Sequence, residues 1–135
     1  MVSDRLGYLL KHVQARLAEQ QAGALEPFGI NGRDLAVLST VASEEPLSQL
    51  EVAARLGVDR TSIGDLLDSL EDRGLVERRR SPEDRRRNIV ALTPHGEDTV
   101  RKAEQIRVEI ERKFLAPLTS STRFREDLRK LLNTD

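Results

Sequence analysis

The sequence predicts a mainly α fold with one small β-hairpin, in which a helix-turn-helix leads directly into a basic wing. Three observations carry that expectation. Apolar residues recur at three- and four-residue spacing through most of the 135-residue chain, as in amphipathic helices. Two short helical stretches meet at Gly57-Val58-Asp59, where a glycine suited to ending one helix precedes an aspartate suited to capping the next. Residues 75–80 and 88–92 then read as two strands joined by a tip dense in arginine.

Leu6, Leu9, Leu10, Val13 and Leu17 place a first helix over about residues 4–21, and Gly23, Pro27 and Gly29 break the chain after it. Asn31 with Asp34 three residues on marks a second start, and Leu35, Leu38 and Val41 give that helix its buried stripe. Glu44, Glu45 and Pro46 suggest a turn. Ser48-Gln49-Leu50-Glu51 is a capping box, in which each end's side chain satisfies a backbone N–H of the other. The short helix behind it stops at Gly57. Asp59 opens the next, whose inner face is Ile63, Leu66, Leu67 and Leu70, and Gly74 closes it. In the hairpin, Val76, Ile89, Val90 and Leu92 supply apolar contacts, with Pro82 at the tip. Thr93 caps a long helix with Pro94 at its first position. Val100, Ala103, Ile106, Ile110 and Phe114 carry it to about Leu115. Pro117 ends it, and Phe124, Leu128, Leu131 and Leu132 mark a last helix.

One domain over residues 1–135 fits this order, with a winged module over about 33–93 and flanking helices over about 4–21 and 94–133. The apolar stripes of the flanking helices need partners, and a second copy related by a two-fold axis would cover the most surface. Aromatic residues are 3% of the chain, so the core must be Leu, Val, Ala and Ile. No cysteine is present, which removes disulfides, thiolate metal sites and thiol redox switches. No apolar run approaches the ~20 residues of a membrane span, and the first ten residues do not read as a signal peptide. A cytoplasmic protein is expected. His12 and His95 stand far apart with no acid at a metal-binding spacing. No nucleophile–base pair or phosphate-cradling glycine loop occurs. The expectation is no enzyme, no metal and no cofactor.

The formal net charge is −1, yet residues 73–87 hold seven arginines against three acids. Screening over about 8–10 Å at physiological salt makes that local excess matter more than the total. A cationic hairpin beside an exposed helix suits a polyanion, and duplex DNA is the obvious one.

Leu70-Glu71-Asp72-Arg73-Gly74-Leu75-Val76-Glu77-Arg78, then Asp84-Arg85-Arg86, then Leu92-Thr93-Pro94-His95-Gly96 resemble, in order and spacing, three segments of the MarR family of bacterial winged-helix regulators. The likeness extends over nearly the whole chain. It implies a homodimer with interlocked terminal helices, two winged modules gripping a pseudo-palindromic operator, and repression that small ligands or oxidants relieve. It also implies that Arg86 enters the minor groove while Asp84 pins its guanidinium.

Arg60, Thr61 and Ser62 open the second helix of the helix-turn-helix, the end that would enter a major groove to meet bases or phosphates; Ser and Thr there also support the cap. Asp65 would lie near the groove, where a carboxylate repels phosphate but accepts from a cytosine amino group. Its plainer role is an ion pair with Arg60 or Arg55. Gly64 either lets the helix approach DNA closely or is incidental, at a cost of about 1 kcal/mol relative to alanine. Arg78, Arg79, Arg80, Arg85 and Arg87 can neutralise phosphates or pair with Glu77 or Glu83. Ser48 and Gln49 can bond a phosphate at a helix start. The resemblance also implies a small aromatic or phenolic acid bound in a cleft between dimer helices and winged module; Tyr8, His12 and Arg16 share one face of the first helix and could hold its carboxylate there. The leading reading is a sequence-specific DNA-binding repressor; the alternative is a winged-helix protein-interaction module that does not bind DNA.

Overall fold

The computed structural model describes residues 1–43 and 46–133. Among them the order is α1 (Leu6–Leu25), α2 (Gly32–Ser43), β1 (Leu47–Ser48), α3 (Gln49–Leu56), α4 (Arg60–Asp72), β2 (Val76–Arg80), β3 (Asn88–Leu92), α5 (Pro94–Leu115) and α6 (Ser121–Leu132). The fold is mainly α with a small antiparallel sheet, a winged helix-turn-helix flanked by long helices.

Local chemistry sets most boundaries. Asn31 and Asp34 exchange backbone-to-side-chain bonds of 3.1 and 2.8 Å at the start of α2. Ser48 and Glu51 do the same at the start of α3, at 3.1 and 3.2 Å. Gly57 ends α3 with φ +65°, a left-handed turn that a side chain would strain. Asp59 caps α4 by accepting from the Ser62 N–H at 2.8 Å. These are the places where otherwise unpaired helix-end N–H groups find partners.

Two features depart from the sequence reading. Helix α1 runs on through Gly23 to Leu25, which is 1% exposed; anchoring Leu25 in the core offsets the cost of a helical glycine. The wing has a third strand: β1 pairs with β3 (Leu47↔Val90, Ser48↔Ile89), and β3 pairs with β2 from Val76↔Leu92 to Arg80↔Asn88. The two expected strands and the tip between them are present, with turns over residues 81–87. The turn expected at Glu44 and Glu45 lies outside the described residues.

The core is aliphatic, as the composition requires. Leu25, Leu38, Val41, Val52, Ile63, Leu67, Leu70, Val76 and Val90 pack together, with Val100 and Ala103 of α5 against them. Most of that core belongs to the winged module, joined by Leu25 of α1 and by Val100 and Ala103 of α5. By contrast, Leu6, Leu9, Leu10 and Val13 of α1 and Leu131 and Leu132 of α6 are exposed. Among the described residues no helix is long and apolar enough to cross a membrane.

The module is fastened to α5 at one junction. Thr93 donates its backbone N–H to Leu75 O at 3.1 Å and its hydroxyl to Gly74 O at 2.6 Å, and its Oγ1 accepts from Gly96 N at 3.0 Å. A Cβ on Gly96 would lie 2.0 Å from Leu75 O. The Leu-Thr-Pro-His-Gly segment therefore needs threonine to clip two backbones together and glycine to let them touch.

Candidate nucleic-acid interface

The N-terminal turn of α4 projects from the module. Arg60 and Thr61 are exposed, and neither side chain has a hydrogen-bond or ion-pair partner among the described residues. Ser62 differs: its hydroxyl donates to Asp59 Oδ2 at 2.9 Å while its N–H is capped by Oδ1. Its hydroxyl proton is spent on the cap. The Ser62 hydrogen bonds hold the Asp59 carboxyl below the usual carboxylate range, so the cap persists in mild acid. The ion pair considered for Asp65 does not form: Asp65 is exposed, with no partner among the described residues.

The arginines of the 73–87 stretch divide into two sets. Arg73 bonds Gly29 O at 2.6 Å, the buried Asp34 at 3.1 Å and Ser69 Oγ at 3.0 Å, tying the end of α4 to the start of α2. Arg78 was expected at a phosphate, but it bridges Asp68 and Glu71 of α4, reaches Gln49 Oε1 at 3.3 Å, and leaves its side chain 20% exposed. It is a strut between wing and helix. The Arg78 hydrogen bond holds the Glu71 carboxyl below its ordinary value, while Glu71 and Asp68 raise Arg78. Arg87 pairs with Glu51 of the capping box and so ties the wing to α3. Arg79 pairs with Glu77 across exposed strand surface at 3.3 Å.

The other set is at the tip. Arg80, Arg85 and Arg86 are exposed, and their guanidinium groups have no partner among the described residues. The loop that presents them is built, not slack. The buried Ser81 accepts from Glu83 N and Asp84 N at 3.3 Å, and its own N–H donates to Arg87 O at 2.9 Å. Asp84 Oδ1 accepts from the Arg86 backbone N–H at 3.0 Å. Asp84 thus pins the Arg86 backbone in an Asx-type turn and leaves the guanidinium loose, which corrects the expected role.

Between α3 and the wing lies a groove of about 540 Å³, with Ser48, Gln49 and Leu50 on one wall and Arg86, Arg87 and Asn88 on the other. Leu50, 53% exposed, and Asn88 belong to this surface and were not singled out from sequence. Their signal was weak: an apolar residue on the outer side of a capping turn, and the residue directly after the tip arginines.

The expected effector trio does not share one cleft. Tyr8 stacks on His12 with ring centroids 4.0 Å apart. His12 and Arg16, without Tyr8, line a cavity of about 770 Å³ with Lys113, Phe114 and Phe124, between α1 and the α5–α6 corner. The cleft between α1, α2 and α5 is a different one, of about 750 Å³, lined by Gln21, Ser39, Thr40, Glu104 and Arg107. There Ser39 Oγ donates to Glu104 Oε1 at 2.5 Å, and Arg107 pairs with Glu104 at 2.7 Å. Burial pushes the Glu104 carboxyl up, but the Arg107 and Ser39 hydrogen bonds outweigh it and the net shift is downward.

A capped, exposed helix start and a stiff cationic hairpin on one core define a winged-helix protein with a polyanion-facing surface. A profile described as MarR family matches residues 28–87. The chain is 31% identical over 123 residues, 90% of its length and 74% of the other's, to a Thauera aromatica protein named for the hcr operon. It is 35% identical over 96 residues to the transcriptional repressor MprA of Escherichia coli, spanning 54% of that protein's length. Among solved structures it resembles the transcriptional repressor CouR bound to a 23-mer DNA duplex, with 32% identity, TM-score 0.85, and 97% and 92% of the two chains covered. It also resembles the PcaV transcriptional regulator of Streptomyces coelicolor in complex with its natural ligand, with 26% identity, TM-score 0.86, and 99% and 96% covered. The chain belongs to the MarR family and, like these relatives, is a transcriptional regulator rather than an enzyme.

Proposed function

We propose that this chain is a homodimeric, sequence-specific DNA-binding repressor acting on a pseudo-palindromic operator. The carrying observation is a braced wing whose Arg80, Arg85 and Arg86 are exposed and without a partner among the described residues, carried on the same core as α4, whose leading Arg60 and Thr61 are likewise exposed and unpartnered among them. Helix α4 enters a major groove with Arg60 and Thr61 at its leading end. The wing tip lies in the adjoining minor groove, where Arg86 is the inserted side chain. The start of α3, with Ser48 and Gln49 facing Arg86 and Arg87 across the groove, takes the phosphodiester strand between. The DNA-bound CouR structure, similar over 97% of this chain, supports this arrangement.

Dimerisation uses the exposed stripe of α1 together with α6, since Leu6, Leu9, Leu10, Leu131 and Leu132 are unburied within one chain. Two modules then address half-sites about 10–10.5 bp apart. Repression results from covering a promoter, in keeping with the cytoplasm as the place of action. A small aromatic or phenolic acid is the proposed effector. His12, Arg16 and Lys113 offer cationic and hydrogen-bonding groups around an apolar cavity, and the ligand-bound PcaV structure supports an effector in principle.

A salt-titrated gel shift on the DNA upstream of the protein's own gene tests the reading. Tight binding that weakens steeply with salt is expected. The rival reading, a protein-interaction module, draws on the outward carboxylate of Asp65; binding that is weak and indifferent to sequence at every salt concentration would favour it.

A further inference from the structure

We propose that Asp65 selects cytosine: its carboxylate accepts a hydrogen bond from a cytosine amino group in the major groove and penalises every other base at that position. This rests on the DNA-binding reading and assigns a role to one side chain within it.

The argument starts from the helix. Ile63, Leu67 and Leu70 are buried, so the opposite stripe of α4 carries Thr61, Asp65, Asp68 and Asp72. Asp68 is engaged by Arg78, and Asp72 is the last residue of the helix. Asp65 stands one turn beyond Thr61, on the part of α4 nearest its leading end. It is exposed and makes no hydrogen bond or ion pair among the described residues. Its neighbour Gly64 has no side chain to hold the helix off the duplex; a Cβ there would meet only Gln49 Nε2, at 3.6 Å.

A carboxylate has acceptor atoms only. Phosphate oxygens repel it, so it cannot serve as a backbone contact as the arginines do. In the major groove the donors are the N4 amino group of cytosine and the N6 amino group of adenine. The adenine amino group lies beside the N7 acceptor, which opposes a second negative atom. The cytosine amino group is flanked by the C5–H edge. Guanine and thymine present acceptors or a methyl group on their own edges. A lone aspartate on a recognition helix therefore lowers affinity for most sequences and is tolerated where a cytosine meets it. That makes it a specificity device that works mainly by rejection.

The test is enrichment of bound duplexes from a random pool by the full-length protein and by D65N and D65A, and then competition with single-base variants of the enriched site. The wild type is expected to enrich a two-fold site with cytosine at one position in each half. Replacing that cytosine by thymine should weaken wild-type binding by about tenfold. In D65A the preference should vanish at that symmetric position alone, with the remaining sequence unchanged. Two results overturn the proposal while leaving DNA binding intact: identical sites from wild type and D65A, or D65A binding all duplexes more tightly with the same preferences. Failure of the wild type to enrich any sequence overturns the functional reading and this proposal with it. Asp65 is exposed and unpartnered among the described residues, so both variants should melt with the wild type, and circular dichroism verifies it.

Discussion

The root and the tip of the wing are built from the same residue type and do opposite work. Arg73 at the end of α4, Arg78 on β2 and Arg87 where the chain re-enters β3 are consumed internally, by Asp34, by Asp68 with Glu71, and by Glu51, and serve as the root. At the tip, Arg80, Arg85 and Arg86 carry their charge outward without a partner among the described residues. The lesson is that a basic stretch cannot be converted to a count of phosphate contacts. Part of the positive charge fixes where the rest is held.

Replacements at the root should cost stability, and replacements at the tip should cost only binding. The largest effect is expected from Gly96→Ala, which drives a methyl into Leu75 O at the clip between wing and α5. A loss of about 3 kcal/mol, read by thermal or urea denaturation, is expected from such overpacking. An unchanged melting curve would mean that the junction yields easily and is no anchor.

Arg86→Ala comes next. Operator affinity should fall by about tenfold or more, with the melting temperature unchanged. Unchanged affinity at physiological salt would remove the wing from the mechanism.

Arg78→Met should do the reverse: a stability loss of about 1–2 kcal/mol and little change in affinity of the folded protein. The same variant has a pH signature. In the wild type the Arg78 hydrogen bond depresses the Glu71 carboxyl from its ordinary 4.5. A depressed carboxylate contributes stability that is present above 4.5 and is lost as pH falls through the lowered value. In Arg78→Met, the Glu71 carboxyl should titrate higher than in the wild type, and the acid-side fall in stability should be shallower. NMR titration of the Glu71 carboxyl reads this directly.

The smallest effect concerns Gly64. Alanine there should stabilise α4 by up to about 1 kcal/mol, because a Cβ meets only Gln49 Nε2 at ordinary contact distance. Affinity that falls while the melting temperature rises would place the backbone at Gly64 against DNA; unchanged affinity would leave the glycine without a binding role.

Legibility from sequence tracked the range of the interactions. The Asn31–Asp34 and Ser48–Glu51 boxes, the Asp59 and Thr93 caps and the Gly57 stop were all readable, because each is settled within about three residues. Strand β1 was not, because two residues become a strand only through β3, which lies far along the chain. The partners of Arg73 and Arg78 were hidden for the same reason: Asp34 is 39 residues from Arg73, and Asp68 is 10 from Arg78. Asp68 and Glu71 lie one helical turn apart on α4, a hint that a cation returning on β2 could bridge them. For the effector trio, spacing along α1 puts Tyr8, His12 and Arg16 on one face but does not name the opposing walls. Which walls that face meets depends on the α5–α6 corner, and Lys113, Phe114 and Phe124 close on His12 and Arg16 but not on Tyr8.

The most direct test of the division between root and tip is the salt dependence of operator affinity for the wild type, Arg86→Ala and Arg78→Met. Each phosphate contact contributes about 0.9 to the slope of log affinity against log salt. The account predicts a shallower slope, by up to about that amount, for Arg86→Ala and an unaltered slope for Arg78→Met. Equal loss of slope in both variants, or loss in Arg78→Met alone, would contradict it.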